Sequence, residues 1–449
     1  MGYLLGGAIG LLFLVYGYLN FILWRKSKSL PLLIVQGLVY LYTFHAYLLV
    51  YLGTKFSYVY HKIERFYGYP YYPGFDSYFY LSLFYHLIFA VVFFGVLYIL
   101  CCKIWKFGEE DLDKEKYVDF RWIVVVCSVI IIVNLFLWRN EFLGFLFNGD
   151  ISYVLFKGAG GLYWWYVFSK LSLDLASMIL FFSILVMFKM YNNFRARNIR
   201  ANNYLFTVVF LLIGVLFLFS LSVGDRLSLA IGVFFAFSLL RVDSGKRNKL
   251  LKIVMLLFVI FLIINVIRVI RTDEANKSLG DSVFERFAGY FVDLFSAGES
   301  HSTFSLNEVM KENVESFQGG SLKHALFIFI PHFFVKERPL DGYSYFTKHS
   351  DVEEGSGFGF HYNADWYMNL EVLGILIGAI LLGTIFGGVY WFSLKSEKWR
   401  FVFAGMISIF ALFMRSGMSG YKNLVYYGIL GLLVYFVVFG KFRFRDLRR

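Results

Sequence analysis

Long apolar runs separated by short polar and basic segments fill most of the chain. A spanning helix needs about 20 apolar residues, and about 11 runs approach or exceed that length. The pattern therefore predicts an all-α polytopic membrane protein of about 11 transmembrane helices. The predicted spans are 3–24, 30–52, 78–102, 122–138, 163–188, 203–222, 227–240, 250–267, 366–393, 401–414 and 424–440.

Composition supports lipid as the natural solvent of this chain. Hydrophobic residues make up 59% of the 449 positions and charged residues 16%, whereas soluble domains carry about 25% charged residues. The net charge of +12 comes from Lys and Arg in short clusters between the apolar runs. Because these clusters do not form one basic surface, they are read as topology signals, and nucleic acid is not an expected partner.

The basic clusters also predict the orientation of the chain. One alternating set of connecting segments carries about three times as many Lys and Arg residues as the short segments of the other set. Under the positive-inside rule the amino terminus is outside and the carboxyl terminus is cytoplasmic. One large loop, 268–365, then lies on the outer face of a bacterial inner membrane, within a single integral domain spanning 1–449.

The large loop retains helical patterning. Ser305 and Glu308 form a capping-box pattern in front of an apolar stripe. That stripe consists of Leu306, Val309, Met310, Val314 and Phe317. We interpret the loop as amphipathic helices that lie on the membrane surface and cover a cavity between the transmembrane helices.

Several arginines fall on the predicted outer face, where the positive-inside rule disfavours basic residues in short loops. A guanidinium group binds phosphate oxygens in a bidentate manner and stays charged at working pH, which suits a lipid-linked pyrophosphate. The alternative is that some of them reach toward lipid headgroups or pair with nearby carboxylates. The candidates are Arg226, Arg268, Arg271, Arg338 and Arg415.

Candidate general bases also lie in the large loop. Attack by a sugar hydroxyl needs a proton acceptor, and His, Asp and Glu are the usual ones. His361 is the leading candidate, because it lies just before the chain re-enters the membrane, followed by Asp365, Glu299 and His332. For each of them the alternative is a solvated or structural residue.

Other polar residues have simpler interpretations. Among Glu299, His301, His332 and His361, which could be posed as metal ligands, no pair has zinc-motif spacing, and the three cysteines have no metal-ligand spacing either. No metal and no cofactor is therefore predicted. Lys170 and Asp174 lie one helical turn apart and are interpreted as a structural ion pair, with an ion path as the alternative. His86 is interpreted as a packing or helix-to-helix hydrogen-bonding residue.

With these residues in view, the chain resembles the Wzy-type O-antigen polymerases, or oligosaccharide repeat unit polymerases, over most of its length. The resemblance rests on many membrane helices, one large loop and a Gly-x-Arg turn at Gly224-Asp225-Arg226. It also rests on a glycine-rich segment, 355–359, that leads to an Asn-x-Gly-x-x-Gly pattern at 369–374. Glu371 departs from that pattern, since it stands where the first glycine is expected.

The resemblance implies a metal-independent membrane glycosyltransferase with a GT-C-like bundle. Such an enzyme passes a glycan from undecaprenyl pyrophosphate to the sugar of a second lipid-linked repeat unit. It implies that the outer-face arginines hold the pyrophosphate and that His361 leads the candidate bases. The implied partners are undecaprenyl-pyrophosphate-linked donor and acceptor oligosaccharides, membrane lipids and a Wzz-type chain-length regulator.

Two other functions remain open. O-antigen ligases share the architecture, and 361–363 imperfectly resembles the His-Asn pair that they carry at the same position. A flippase or transporter of lipid-linked oligosaccharide is the rival from another class. Polymerase ranks above ligase because the spacing from His361 to Gly374 is longer than in the ligase pattern, and above flippase because flippases have short loops.

Overall fold

The computed structural model describes residues 2–53, 77–104, 120–148, 163–195, 203–223, 225, 227–240, 300–314, 316–328, 338–350 and 359–439. Within these residues the chain is almost entirely helical, and the β-type pairing is limited to an isolated bridge between Phe360 and Ser416. The all-α prediction is confirmed for this part of the chain.

In the described part of the chain, nine α-helices precede residue 268, where the large loop is predicted to begin. They are α1 (Gly2–Ser27), α2 (Leu30–Thr43), α3 (His45–Gly53), α4 (Ser77–Tyr98), α5 (Phe120–Leu137), α6 (Arg139–Asn148), α7 (Tyr163–Arg195), α8 (Asn203–Ser222) and α9 (Leu227–Ser238). A π-helical segment, Ile99–Ile104, continues α4.

The remaining described helices lie within and after the segment predicted as the large loop. They are α10 (Ser305–Lys311), α11 (Gly320–Phe327), α12 (Gly342–Lys348), α13 (Tyr362–Lys395), α14 (Glu397–Ser408), α15 (Phe410–Met414) and α16 (Gly420–Phe439). Short 3-10 turns, Ser300–Phe304 and Gly417–Ser419, precede α10 and α16.

Six of the described helices are long and apolar enough to cross a membrane. These candidate spans are Leu4–Ser27, Ser77–Ile104, Phe120–Leu137, Trp165–Met187, Tyr362–Lys395 and Gly417–Phe439. Shorter apolar helices occupy Leu30–Thr43, Thr207–Ser220 and Leu227–Ser238. The predicted span at 250–267 lies outside the described residues, so the count of about 11 spans and the layout of the loop stay predictions.

The chain divides into two compact units, each built from separate stretches of sequence. The first comprises Met1–Glu109, Ser278–Lys395 and Ile409–Tyr426, and the second comprises Glu110–Lys277, Ser396–Ser408 and Tyr427–Arg449. The residues of α16 up to Tyr426 therefore belong to the first unit and those from Tyr427 onward to the second.

In the first unit α4 packs against α1 and α13. Phe89 and Phe93 of α4 are fully buried. A Cβ atom at Gly383 of α13 would lie 3.0 Å from Val96 and 3.1 Å from the Phe93 carbonyl. A glycine at this position lets the two helices approach closely, as small residues do in membrane bundles.

In the second unit α7 packs against α9, and α9 packs against α14. Gly232 of α9 fits against Ser177 of α7, where a Cβ atom would overlap the serine side chain. Gly405 and Gly431 allow α14 and α16 to approach closely, because a Cβ atom at either position would overlap a backbone carbonyl of the other helix. These close contacts position the polar side chains of α7 and α9 described below.

Two predicted spans are interrupted. The span predicted at 30–52 is divided at Phe44 into α2 and α3, and the span predicted at 401–414 is divided at Ile409 into α14 and α15. Hydrophobic periodicity continues through both positions, which is why the pattern does not reveal the breaks.

The capping-box prediction at Ser305 and Glu308 is wrong in detail. Helix α10 begins at Ser305 itself, and no side chain caps it. The Ser305 hydroxyl instead donates to the Ser302 carbonyl and accepts the backbone N–H of His361. The predicted apolar stripe is buried at Leu306, Val309 and Met310. The helix then ends at Lys311, and Asn313 takes a φ of +49°, so Val314 and Phe317 lie beyond it.

Helix α13 is kinked at Leu370 and Glu371, in its amino-terminal part. Leu370 has φ −145° and ψ 21°, and Glu371 has φ 52° and ψ −136°. The kink frees the Met368 carbonyl, which accepts the N–H of Phe317 at 2.9 Å. A Cβ atom at Gly374 would overlap the Trp366 carbonyl. Glu371 therefore holds a backbone conformation that favours glycine.

Replacing Glu371 with glycine should stabilise the protein. Releasing a non-glycine residue from this conformation stabilises the folded state by about 1–3 kcal/mol. The added flexibility of glycine in the unfolded chain lowers the stability by about 0.5–1 kcal/mol. We expect a net gain of about 1 kcal/mol, measured as a higher unfolding midpoint of the purified protein in detergent.

The matched control is Leu370→Gly at the neighbouring position, where φ is negative. That change removes no strain and should lower stability by about 1 kcal/mol. If both variants shift the midpoint in the same direction, Glu371 does not hold strain.

Candidate functional site

Four of the nine predicted site residues lie in the described part of the chain: His361, Asp365, Arg338 and Arg415. All four belong to the first unit. The other five lie outside the described residues: Glu299, His332, Arg226, Arg268 and Arg271.

A backbone pairing joins the start of α13 to the turn before α16. The Phe360 N–H donates to the Arg415 carbonyl at 2.8 Å, which forms the bridge between Phe360 and Ser416. Gly359 has φ +75°, and a Cβ atom there would lie 2.9 Å from Arg415 Nε. Two predicted site residues, His361 and Arg415, are thus brought next to one another through the backbone.

Asp365 lies where the start of α13 meets the turn before α16, a region called the Asp365 junction below. Its side chain is only 2% exposed. Oδ1 accepts the Ser321 hydroxyl at 2.5 Å and the Asn369 amide at 3.2 Å, and Oδ2 accepts the backbone N–H of Met418 at 2.7 Å. Hydrogen bonds to a carboxylate are stronger than those between neutral groups. The carboxylate therefore ties α11, α13 and the turn before α16 together.

Two glycines make room for this carboxylate. A Cβ atom at Gly342, the first residue of α12, would overlap Asp365, and so would one at Gly417. Gly417 also has φ +58°, a conformation that L side chains rarely adopt. The sequence around Asp365 thus leaves room for a carboxyl group packed directly against backbone.

His361 is fully buried, with 0% exposure. Its Nδ1 accepts the N–H of Asn363 at 3.1 Å, so the neutral ring carries its proton on Nε2. Burial, followed by the neighbouring His86 ring, holds the pKa of His361 well below its ordinary value, and a hydrogen bond with the Tyr42 backbone offsets this only in part. The ring is thus neutral at working pH.

His86 of α4 connects this region to the rest of the unit. Its ring lies edge-on to His361, with ring centroids 4.7 Å apart. The Asn363 amide donates to His86 Nδ1 at 2.7 Å, which leaves the proton on Nε2, where it faces the Thr303 carbonyl at 3.2 Å. The interpretation of His86 as a helix-to-helix hydrogen-bonding residue is confirmed.

Basic side chains lie close to the same junction. Lys422, in the first turn of α16, interacts electrostatically with Arg338 and with Asp341. Asp341 in turn caps α12, since its Oδ1 accepts the N–H of Ser344 at 2.7 Å. A cation is unfavourable at a helix amino terminus. Lys422 and Arg338 are thus two neighbouring cations beside one carboxylate, Asp341.

Sequence reasoning missed several residues of this region. Lys422 carries a usable signal, because it is a basic residue in a short segment predicted to lie outside, as the candidate arginines are. Ser321 and Asn369 carried none, since a serine and an asparagine become carboxylate partners only through the fold. In the described residues no group of three or more His, Cys, Asp or Glu side chains is arranged to hold a metal ion.

Comparison with known proteins gives no relative: no family model, no curated protein and no solved structure matches the chain. The functional conclusion therefore rests on the residues themselves and on the resemblance drawn from the sequence.

Proposed function

We propose that this protein is a membrane glycosyltransferase that polymerises undecaprenyl-pyrophosphate-linked oligosaccharide repeat units on the periplasmic face of a bacterial inner membrane. The observation that supports it best is the group of basic residues Arg338, Arg415 and Lys422 around the Asp365 junction in the first unit. Lys422 lies at the start of a helix long and apolar enough to span the membrane. The anionic group of a lipid carrier would lie at the membrane surface, near the end of such a helix.

The local backbone also supports the proposal. In the polymerase-like pattern at 369–374, the first glycine position is occupied by Glu371, which nonetheless takes a glycine-like φ of 52°. The last position, Gly374, approaches the Trp366 carbonyl so closely that a Cβ atom would overlap it. Both positions therefore meet the backbone requirement that explains glycine in the pattern.

The proposed reaction is a displacement at the anomeric carbon of the donor sugar. A hydroxyl oxygen of the acceptor repeat unit forms the new glycosidic bond while the bond to pyrophosphate breaks. Undecaprenyl pyrophosphate leaves with the electron pair, and a base takes the hydroxyl proton. Arg338, Arg415 and Lys422 would stabilise the negative charge that develops on the leaving pyrophosphate.

The geometry favours scaffold roles for two of the four predicted bases. Asp365 already accepts three hydrogen bonds, and His361 is fully buried with Nδ1 occupied. A general base must come within hydrogen-bonding reach of the substrate hydroxyl. We therefore place Glu299 and His332 ahead of them as candidate bases.

The second candidate function is a flippase for the same lipid-linked oligosaccharide. It is favoured by a cluster of buried charged residues in the second unit, because ionisable side chains within membrane helices often mark a transport path. The cluster contains Lys170, Asp174 and Asp225. A ligase, which would move the finished glycan to lipid A core or to protein, is the alternative within the enzyme class.

Deletion of the gene in its natural host separates these functions. Loss of a polymerase should leave single repeat units on the acceptor, and loss of a ligase should leave none there while polymer remains on the lipid carrier. Loss of a flippase should leave the repeat units on the cytoplasmic face. Complementation with Arg338→Ala or Arg415→Ala should yield about tenfold less polymer or lower still, because each removes a charged donor from the pyrophosphate.

The matched control is Lys323→Ala, which removes an exposed cation of the same unit on α11. Polymer ladders on gels, normalised to the amount of inserted protein, provide the measurement. Normal ladders from both arginine variants would contradict the assignment of these residues to the pyrophosphate, and a flippase phenotype on deletion would contradict the polymerase proposal itself.

A further inference from the structure

The second unit contains a buried cluster that the proposed reaction does not use. Lys170 and Asp174 lie on α7, and the Lys170 ammonium donates to Asp174 Oδ1 at 2.7 Å and to Asp225 Oδ2 at 3.0 Å. Ser228 of α9 contacts all three of these residues. Tyr427 of α16 donates its hydroxyl to Asp174 Oδ2. The predicted contact between Lys170 and Asp174 is confirmed, and Asp225 and Ser228 extend it.

The cluster is buried. Asp174 is 0% exposed, Asp225 is 1% exposed and the Lys170 side chain is 18% exposed. Tyr166 of α7 is a further titratable group within electrostatic range of the Tyr427 hydroxyl. Among the described residues, then, two carboxylates share one ammonium group in a low-dielectric setting, where an unpaired charge is costly.

The hydrogen bonds of Ser228 set the number of protons in the cluster. Its hydroxyl oxygen has one proton to donate and two lone pairs that accept. One lone pair accepts the Lys170 ammonium at 2.7 Å. The same oxygen touches Asp174 Oδ1 and lies 2.5 Å from Asp225 Oδ2. Because the hydroxyl proton serves only one of these two contacts, the other requires a proton on the carboxyl group.

The partners of the two carboxyl groups differ, which shows where that proton lies. Asp225 accepts the N–H groups of Leu227 and Ser228 at 3.1 and 3.4 Å in addition to the Lys170 ammonium. Burial opposes its ionisation, yet Lys170 and the Ser228 donors hold the pKa of the Asp225 carboxyl below its ordinary value. Asp174 accepts no backbone N–H among the hydrogen bonds of this cluster, so it is the weaker anion of the two.

We propose that the Lys170–Asp174–Asp225 cluster is a proton-binding site, with one exchangeable proton held on Asp174 Oδ1. In this arrangement Asp174 donates to Ser228, Ser228 donates to ionised Asp225, and Tyr427 donates to the other Asp174 oxygen. The bound proton makes the cluster electrically neutral and holds α7, α9 and α16 of the second unit together. The inference is independent of the proposed glycosyltransferase activity.

Asparagine substitutions test the site, because asparagine imitates a protonated carboxyl group. In Asp174→Asn the side-chain amide donates to Ser228 and its carbonyl accepts from Tyr427, so both of these hydrogen bonds persist and only the Lys170 contact at Oδ1 is lost. In Asp225→Asn an amide replaces one of two oxygens that both face donors. We expect the unfolding midpoint of Asp174→Asn to stay within about 3 °C of the wild type and that of Asp225→Asn to fall by about 10 °C.

Infrared spectroscopy of the purified, full-length protein provides the direct measurement. The carbonyl stretch of a protonated carboxylic acid should be present in the wild-type spectrum, move on transfer to heavy water and disappear in Asp174→Asn. Glu312→Gln, which changes an exposed carboxyl group outside the cluster, should retain the band.

Two results would overturn the proposal. One is a carboxylic acid band that is absent from the wild-type spectrum or unchanged in Asp174→Asn, since both carboxyl groups of the cluster would then be ionised. The other is an equal loss of stability in Asp174→Asn and Asp225→Asn, which would mean that Asp174 serves as a charged partner of Lys170. Neither result depends on whether the protein polymerises sugars.

Discussion

Replacing Asp365 with asparagine should lower the free energy of unfolding by about 3 kcal/mol and reduce polymer formation at least tenfold. The carboxylate accepts the Ser321 hydroxyl, the Asn369 amide and the Met418 N–H. Asparagine keeps one accepting oxygen and sets an amide donor against one of these donors. A buried donor left without its acceptor costs about 1–3 kcal/mol, with more lost for a charged partner.

The activity should fall with the fold because Asp365 holds the turn that carries Arg415. Met418 N–H donates to the carboxylate just after the Arg415–Ser416 segment, which is itself paired to Phe360. A catalytic base behaves differently, since its removal slows the reaction without lowering the unfolding midpoint. Thermal unfolding and single-turnover rates, measured on the same preparation, therefore separate positioning from base catalysis.

The exposed carboxyl group of Glu312 again provides the control, since Glu312→Gln should change neither quantity. If Asp365→Asn unfolds at the wild-type temperature but has a much lower single-turnover rate, Asp365 acts as a catalytic base and not as a positioning residue. A variant with normal rate and normal stability would show that the three hydrogen bonds carry no net energy.

Hydrophobic patterning predicts the helices of this chain well and their interruptions poorly. The runs that became α1, α4, α5, α7, α13 and α16 are long enough that length and composition alone identify them as spans. The breaks at Phe44 and Ile409 lie beside single polar residues, Thr43, His45 and Ser408, and neither break falls on a glycine or proline. At Glu371 the break falls on a residue type that ordinarily favours helix, so the sequence gives no sign of the φ of 52° found there.

The site was predictable in its types of residue and not in their arrangement. The spacing of His361 and Asp365 predicts two polar side chains on one face of a helix. It does not predict that Asp365 contacts Ser321, 44 residues away, or that Asn363 contacts His86, 277 residues away. Such contacts depend on the three-dimensional fold, and a serine or an asparagine in the sequence does not predict them.

In the buried cluster of the second unit, one contact is predictable from the sequence and the others are not. Lys170 and Asp174 are one helical turn apart, so their pairing was evident from the sequence. Asp225 belongs to the Gly224-Asp225-Arg226 turn, 55 residues from Lys170, so the sequence does not indicate that its carboxylate lies 3.0 Å from the Lys170 ammonium. The apolar positions of α9 bring it against α7, and that packing carries Asp225 and Ser228 to the cluster.

Replacing Lys170 with methionine should destabilise the second unit by about 3–5 kcal/mol. Methionine fills a similar volume but removes the ammonium group that donates to Asp174, Asp225 and Ser228. Asp225 is then left as a buried anion without its counter-charge, or must take up a proton at a similar cost. The unfolding midpoint in detergent measures the loss, and Lys103→Met, at an exposed lysine, should leave the midpoint unchanged.

A second substitution shows whether charge or packing causes that loss. If the cost of Lys170→Met comes from the uncompensated anion, then adding Asp225→Asn removes the anion as well, and the double variant should be more stable than the sum of the single changes predicts. For residues in direct contact we expect a coupling of about 2 kcal/mol. If the two losses simply add, the ion pair contributes little, and the helices of the second unit are held by their apolar contacts and close glycine packing alone.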